Sequence, residues 1–151
     1  MKSSIDHIQL FIDYLNINFY KDLLQFLGWK MFMEEPDEVG FNNEKNETLW
    51  IAEANNNGNN DYDKIGMNHL SFRVESQKNV DKVTVFLKKQ HIPTLFGTPK
   101  HRPEYAKNEK ETYYQIMFES PDQILFEVVY IGVKDKSSGN ILSLGERTSS
   151  T

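Results

Sequence analysis

The sequence MNHLSFRV at residues 67–74 repeats a pattern that occurs first in IDHIQLFI at residues 5–12. Each stretch has a histidine at its third position, His69 in one and His7 in the other. Around each histidine, hydrophobic residues alternate with other residue types, as they do in a half-buried β-strand. The two histidines therefore hold equivalent places in two copies of one structural unit.

The first copy is predicted to continue from its strand into a helix and three further strands. The helix begins at Asn16 or Asn18, either of which can cap it, and runs to about Leu27. Gly28 is the type of residue that ends a helix. Further strands are predicted at residues 29–34, 39–41 and 47–54.

The second copy repeats this order after a segment rich in Asn, Gly and Asp. Its helix begins at Ser76 or Asn79 and ends near Gln90, and residues 93–96 have a strand-like pattern. A long loop at 97–110 precedes strands predicted at 113–119 and 124–130. The sequence therefore predicts an α+β protein with βαβββ modules at 1–54 and 66–131, a linker at 55–65 and a flexible tail at 132–151.

Composition limits the classes of function. The chain has 151 residues, enough to bury a substantial core, and its net charge of -5 argues against a nucleic-acid surface. It has no cysteine, which excludes disulfides, thiolate zinc sites and cysteine nucleophiles, and no apolar run long enough to span a membrane. We expect a cytoplasmic protein whose partners are small molecules, with no role in binding nucleic acid or membranes.

Strand alternation places the two histidines on corresponding faces. The more aliphatic face of the first strand, which carries Leu10, should pack under the helix, so His7 and Gln9 point the other way. By the same reasoning, the second copy turns His69 and Ser71 away from its helix.

The last strand contains a carboxylate, Glu127, inside the apolar run ILFEVVY at 124–130. A buried carboxylate without a partner is costly, so Glu127 requires a cation or a hydrogen-bond donor. Two imidazoles and one carboxylate on the concave side of a sheet form a facial ligand set for a divalent metal: zinc, nickel, iron, manganese or cobalt. The alternative is that each histidine is an ordinary core residue, but three such residues on corresponding faces favour the metal.

Several short segments of the chain form a combined pattern. They are IDHI at 5–8, NFYKDLL at 18–24, LGW at 27–29, NHL at 68–70, and SPD at 120–122 with Glu127 six residues after Pro121. Together they resemble the vicinal oxygen chelate superfamily over residues 5–130. That superfamily includes glyoxalase I, bleomycin-resistance proteins, fosfomycin-resistance thiol transferases and extradiol dioxygenases. The resemblance implies two modules forming a cup-shaped mixed β-sheet with flanking helices, with a metal inside held by His7, His69 and Glu127.

Departures from the superfamily patterns narrow the expected chemistry. Glyoxalase I-like enzymes commonly have a fourth ligand where this chain has Ile51. Glu53 is expected to face the same way, about 6.6 Å further along the strand, and is a candidate catalytic base. The tyrosine of the extradiol pattern is replaced by Met117, which argues against a ring-cleaving dioxygenase, and the potassium-binding loop of the fosfomycin enzymes is missing. The nearest resemblance is to an uncharacterised glyoxalase-like group with the run RPEY at 102–105 followed by YY at 113–114 and Phe118.

Residues expected to face the cup are candidates for substrate binding. If Glu127 faces inward, the neighbouring strand turns every second residue the same way. The long loop is a candidate lid. The tyrosines of this strand could equally be ordinary strand aromatics. The substrate-binding candidates are Gln9, Ser71, Tyr105, Tyr113, Gln115 and Met117.

Two functions of different classes follow. The first is a metal-dependent lyase or transferase that acts on a small oxygen-bearing molecule through a Lewis-acidic ion. The second is a metal-free protein that binds or sequesters a small planar compound, as bleomycin-resistance proteins do. The modules could close within one chain or exchange between two chains of a homodimer, and the sequence leaves both open.

Overall fold

The computed structural model describes residues 1–56 and 58–135 and contains the predicted element order twice. One strand, one helix and three strands occur in each half, which confirms the α+β class with two βαβββ series. Short 3-10 turns precede α1 and β7, and residues 136–151 of the predicted tail lie outside the described residues. The elements are β1 (His7–Ile12), α1 (Ile17–Phe26), β2 (Lys30–Glu34), β3 (Glu38–Asn42), β4 (Thr48–Glu53), β5 (Leu70–Arg73), α2 (Gln77–Lys89), β6 (Lys100–His101), β7 (Glu111–Glu119) and β8 (Leu125–Val133).

Each series forms a four-stranded sheet. Sheet 1 has the strand order β1-β4-β3-β2, and sheet 2 has the order β5-β8-β7-β6. In sheet 1, β4 pairs with β1 in parallel and with β3 in the antiparallel sense. The register pairs His7 with Thr48 and Gln9 with Trp50, so these four side chains lie on one face.

The chain divides into two compact units. Among the described residues, unit 1 comprises Met1–His69 and Glu119–Phe126, and unit 2 comprises Leu70–Phe118 and residues 127–135. The segment between β7 and β8 thus packs with α1 in unit 1. The Tyr20 hydroxyl on α1 donates to Asp122 Oδ2 at 2.6 Å and accepts from Ser120 Oγ at 2.9 Å, and these two hydrogen bonds hold that segment against α1.

Both helices form where their apolar stripes can be buried. Ser76 caps α2, because its Oγ accepts a hydrogen bond from Asn79 N at 3.2 Å, which decides between the two predicted starting points. Gly28 follows α1 with a φ of +89°, as expected of a residue that ends a helix. Each fully buried aliphatic side chain contributes about 1.5–3 kcal/mol. The buried residues are Phe19, Tyr20, Leu23 and Leu24 on α1, and Gln77, Val80, Val83 and Leu87 on α2.

The prediction of a strand at residues 93–96 is wrong. In that segment only Thr94 forms a bridge, to Phe118, and the strand at the outer side of β7 is β6, inside the segment predicted to be a loop. The reason is a turn in which Thr98 N donates to Leu95 O at 3.0 Å, with Gly97 at a φ of +65°. No helix among the described residues is long and apolar enough to cross a membrane.

Candidate functional site

The exposed face of β1 carries the first predicted ligand. His7 and Gln9 are exposed whereas Leu10 and Ile12 are buried, which confirms the predicted alternation. The side chain of His7 is 56% exposed, and its Nδ1 lies 2.8 Å from Asp6 Oδ2. Since Asp6 can only accept, Nδ1 is the nitrogen that carries the proton in the neutral imidazole, and Nε2 then has the lone pair.

His69 repeats this arrangement in detail. Its Nδ1 lies 2.7 Å from the side-chain oxygen of Asn68, the residue before it, just as His7 contacts Asp6. The Asn68 amide is oriented by its NH2 group, which donates to Tyr62 O at 2.9 Å and so turns Oδ1 toward the imidazole. The duplicated sequence therefore duplicates a hydrogen bond that selects the same tautomer in both histidines.

Unit 1 has an open cavity of about 430 Å³ on the face that carries His7. Gln9 Nε2 donates to Glu38 Oε1 at 2.7 Å across its wall. The Phe32 and Trp50 rings meet edge to face with centroids 5.3 Å apart. Carboxylates and aromatic rings thus share one cavity. The residues that line it are Asp6, His7, Gln9, Phe32, Glu38, Thr48 and Trp50.

Gly40 makes this packing of the two rings possible. It pairs with Trp50 across β3 and β4, on the cavity face. A Cβ at this position would come within 2.7 Å of Phe32 Cζ and 3.1 Å of a ring carbon of Trp50. Only a glycine lets the rings lie directly over the strand.

The carboxylate of Glu127 lies in unit 2 and is almost fully buried, with 3% of the residue exposed. Tyr113 OH donates to Glu127 Oε1 at 2.9 Å. With its amide oriented to donate, Gln115 places its NH2 group 2.7 Å from the same oxygen. The donors required by the sequence argument therefore come from β7. Tyr114, between these residues, points to α2 and donates to Asp81 Oδ1 at 2.8 Å, which confirms the predicted alternation of β7.

The electrostatics of this cluster keep Tyr113 protonated. Burial, together with the hydrogen bond to the Glu127 carboxylate, raises the pKa of Tyr113 to about 12. Its hydroxyl therefore remains a donor over the whole physiological pH range. Met117, the third predicted residue of this face, is half-buried.

Sequence reasoning missed Arg102, which joins the same cluster. Its Nη1 lies 3.2 Å from the side-chain oxygen of Gln115, and its Nε lies 2.5 Å from Glu104 Oε1. The guanidinium sits 4.9 Å above the ring of Tyr105, whose centroid is 5.4 Å from that of Tyr113. Arg102 belongs to the RPEY run, so the resemblance marked the segment but assigned no contact to the arginine. A backbone hydrogen bond from Arg102 N to Tyr113 O, 2.8 Å long, holds Arg102 beside this cluster.

The expected position of a fourth ligand in the first module is wrong. Ile51 pairs with Leu10 and is fully buried, so it lies on the face opposite His7. Glu53 pairs with Ile12 and shares that opposite face at the exposed end of β4. The error came from aligning the two modules one residue out of register, which turns every side chain to the other face. The observed geometry gives no support to Glu53 as a base acting in the His7 cavity.

Ser71, another predicted substrate-binding residue, is exposed on β5, on the face opposite the buried Phe72. Within each unit, no three described histidine, aspartate or glutamate side chains group together as a metal cluster. Sheet 1 thus brings together His7 and Gln9, and unit 2 brings together Glu127, Tyr113, Gln115 and Tyr105.

The chain is similar to known proteins in its structure. The sequence matches no protein-family model and no curated protein sequence. A candidate glyoxalase from Bacillus halodurans matches with a TM-score of 0.69 and 23% identity, over 83% of this chain and 94% of the other.

Two further solved structures are similar. The fosfomycin-resistance protein FosX from Listeria monocytogenes, in complex with Mn(II) and sulfate, has a TM-score of 0.61 and 21% identity, over 86% of this chain and 91% of its own. A glyoxalase/dioxygenase from Nostoc punctiforme has a TM-score of 0.65 and 17% identity, over 85% and 90% of the two chains. The chain therefore has the fold of the vicinal oxygen chelate superfamily, as the sequence resemblance predicted.

Proposed function

We propose that this protein is a glyoxalase-like, divalent-metal-dependent lyase or transferase that acts on a small oxygen-bearing molecule. His7, His69 and Glu127 are the proposed ligands. The observation that carries the proposal is the repeated hydrogen bond from each imidazole Nδ1 to the side chain before it. Metal-binding histidines usually donate their second ring N–H in this way, which leaves Nε2 to coordinate.

The surroundings of Glu127 support its part in the ligand set. A ligating carboxylate is normally held in place by hydrogen bonds from neighbouring residues. Tyr113 and Gln115 hold Glu127 through one oxygen, Oε1, at 2.9 and 2.7 Å. Two imidazoles and one carboxylate fit a divalent transition ion chemically, and such a set leaves positions open for substrate.

Bound in this way, the ion would act as a Lewis acid toward substrate oxygen atoms. The residues of the chain would orient the ligands and the substrate. Tyr113 and Arg102 are hydrogen-bond donors beside the Glu127 carboxylate, and Tyr113 keeps its proton because its pKa is raised to about 12. Tyr105 lies under the Arg102 guanidinium and meets the Tyr113 ring edge to face, so it would cover these donors from the loop side.

Bound metal per chain tests the proposal. The chain is dialysed separately against Mn²⁺, Zn²⁺ and Ni²⁺, followed by metal-free buffer, and its metal is measured by mass spectrometry. Mn(II) is included because the FosX structure contains it. We expect about one ion per chain, and a large loss in the His7→Ala, His69→Ala and Glu127→Gln variants.

The matched control is His91→Asn, which removes an exposed histidine from the turn after α2. It should bind metal as the wild type does. Equal metal content in the wild type and all three ligand variants would end the proposal.

A metal-free binding protein is the second candidate. It is favoured by two observations: Tyr113 and Gln115 already satisfy the buried Glu127 carboxylate, and the unit 1 cavity has aromatic walls. Such a protein would bind a planar compound without any metal. Wild-type chain that retains no metal after dialysis but binds such a compound would favour this candidate.

A further inference from the structure

The charged residues that line the aromatic cavity of unit 1 indicate the charge of the ligand that it binds. Two of its lining residues, Asp6 and Glu38, are carboxylates. Among the described residues that line it, only His7 can carry a positive charge. A cavity of this kind attracts cations and hydrogen-bond donors and disfavours anions.

Glu38 is positioned to receive such a group. Gln9 donates to Oε1 of Glu38. Among the described residues of unit 1, no other side chain or backbone group donates a hydrogen bond to the Glu38 carboxylate. The residue is half-buried, so an ion pair formed there is less screened by solvent than one on an open surface. The carboxylate lies diagonally across the sheet from Gln9, next to the row that contains Trp50 and Gly40.

The opposite wall suits a flat apolar group. Phe32 is 49% exposed even though its ring packs against Trp50, so it offers unfilled apolar surface at the edge of the cavity. Gly40 lies beneath the two rings on the same face, and because it has no Cβ the rings pack close to the strand. Stacking on Trp50 would also favour a cation through the ring quadrupole.

Lys30 lies on the same face of the sheet, because the register places Lys30, Asn42, Thr48 and His7 in one row across the four strands. Lys30 does not line the cavity, and the described residues that line it include no lysine or arginine.

We propose that the unit 1 cavity binds the planar apolar part of the substrate, and that this part carries an ammonium or similar N–H donor that pairs with Glu38. The volume of about 430 Å³ accommodates a single ring with a short side chain. This proposal uses one element of the proposed function: the reacting end of the substrate lies at His7, on the cavity wall. To the proposed function it adds the substrate class, which is an aromatic amine rather than an anion.

Simple fragments test this without any metal. Trp50 fluorescence is followed in the full-length protein, in the presence of a chelator, as four probes are added: 2-phenylethylammonium, 2-phenylethanol, 3-phenylpropionate and butylammonium. The Trp50→Phe variant identifies the part of the signal that comes from the cavity, because the only other tryptophan is Trp29.

We expect 2-phenylethylammonium to bind about fivefold more tightly than 2-phenylethanol, the ratio that a half-exposed ion pair supports. The phenylpropionate and the ring-free butylammonium should be the weakest probes. Glu38→Gln should remove the preference for the ammonium and leave 2-phenylethanol unchanged. Glu44→Gln, which neutralises an exposed carboxylate in the turn between β3 and β4, should retain the preference.

Gly40→Ala provides an independent check, since its Cβ would displace both rings. It should weaken all three aryl probes to a similar degree while circular dichroism stays that of a folded chain. Equal or tighter binding of phenylpropionate would overturn the proposal. So would the absence of a saturable Trp50 response, the result expected if a second copy of the chain covers this face. Neither result depends on metal, so the metal site is judged separately.

Discussion

The two sheets share one sequence pattern but treat their candidate ligands differently. On β1, His7 is exposed at the edge of an open cavity, whereas Glu127 on β8 is 3% exposed and hydrogen-bonded on its own sheet. The neighbouring strands cause the difference. Beside β4, β3 contributes Gly40, which has no side chain to cover the cavity face, and the Phe32 and Trp50 rings pack over it. Beside β8, β7 contributes Tyr113 and Gln115, which donate to the Glu127 carboxylate. The equivalent histidines His7 and His69 are both exposed, so burial separates the two kinds of candidate ligand, imidazole and carboxylate, rather than the two copies.

The strongest test of this comparison removes one ligand from each sheet. Glu127→Ala should lower the free energy of unfolding by about 2–4 kcal/mol, because it leaves a cavity and two buried donors without their acceptor. His7→Ala should change it by less than about 0.5 kcal/mol, since the imidazole is largely exposed. Urea denaturation in the presence of a chelator measures both values.

Glu109→Ala controls for the loss of a negative charge, because Glu109 is exposed in the loop before β7. If His7→Ala and Glu127→Ala lowered the free energy of unfolding by similar amounts, the difference in burial between the two side chains would not determine their contribution to stability.

The contribution of a single donor is smaller. Tyr113→Phe removes the hydroxyl that donates to Glu127 and keeps the ring, so we expect a loss of about 1.5 kcal/mol, within the range for hydrogen bonds to charged groups. Tyr130→Phe is the matched control, because its hydroxyl donates to the backbone oxygen of Val133 at a half-exposed position. A larger loss for Tyr130→Phe than for Tyr113→Phe would contradict the proposed role of the buried cluster.

The exposed side can be tested through the residues that orient the histidines. Asp6→Ala and Asn68→Ala should each weaken metal binding about tenfold, since outer partners of ligating histidines typically contribute that much. Calorimetric titration of metal checks the affinity, and thermal melting without metal should show no change, because both partners are exposed. Unchanged affinity in both variants would remove the support that the repeated hydrogen bond gives to the metal site.

The smallest expected effect concerns pH at the edge of sheet 2. Burial lowers the pKa of His101, as does nearby Lys134, while Asp81 opposes the change. The folded chain therefore binds this proton less tightly than the unfolded chain, so the stabilisation present above pH about 6.5 is lost as the pH falls below it. In His101→Gln, the decrease in melting temperature from about pH 7 to about pH 5 should be smaller than in the wild type, and a change as large as that of the wild type would contradict the assignment.

Much of the fold could be predicted because it depends on local patterns. The order of the elements could be predicted from the alternation around His7 and His69 and from the apolar stripes of both helices. Alternation also predicted which faces of β1 and β7 are buried. The strand misplaced at 93–96 depended on a turn that brings β6 to β7, and composition alone does not reveal such pairing.

The candidate site was harder to predict than the fold. The donors to Glu127 were named as substrate contacts, because sequence gives the face of a residue but not its hydrogen-bond partner. Arg102 was missed for the same reason: its place depends on a backbone bond to Tyr113, eleven residues further along the chain. The face of Ile51 and Glu53 was wrong because a one-residue error in strand register reverses every side chain.

The most direct test of the central claim is the melting temperature of metal-free protein as a divalent ion is added. If His7, His69 and Glu127 bind the ion in the folded chain only, the melting temperature of the wild type should rise steadily with the logarithm of ion concentration. It should stay nearly constant in each ligand variant and rise normally in His91→Asn. A wild-type melting temperature that does not respond to any of Mn²⁺, Zn²⁺ or Ni²⁺, or an equal rise in Glu127→Gln, would contradict the claim.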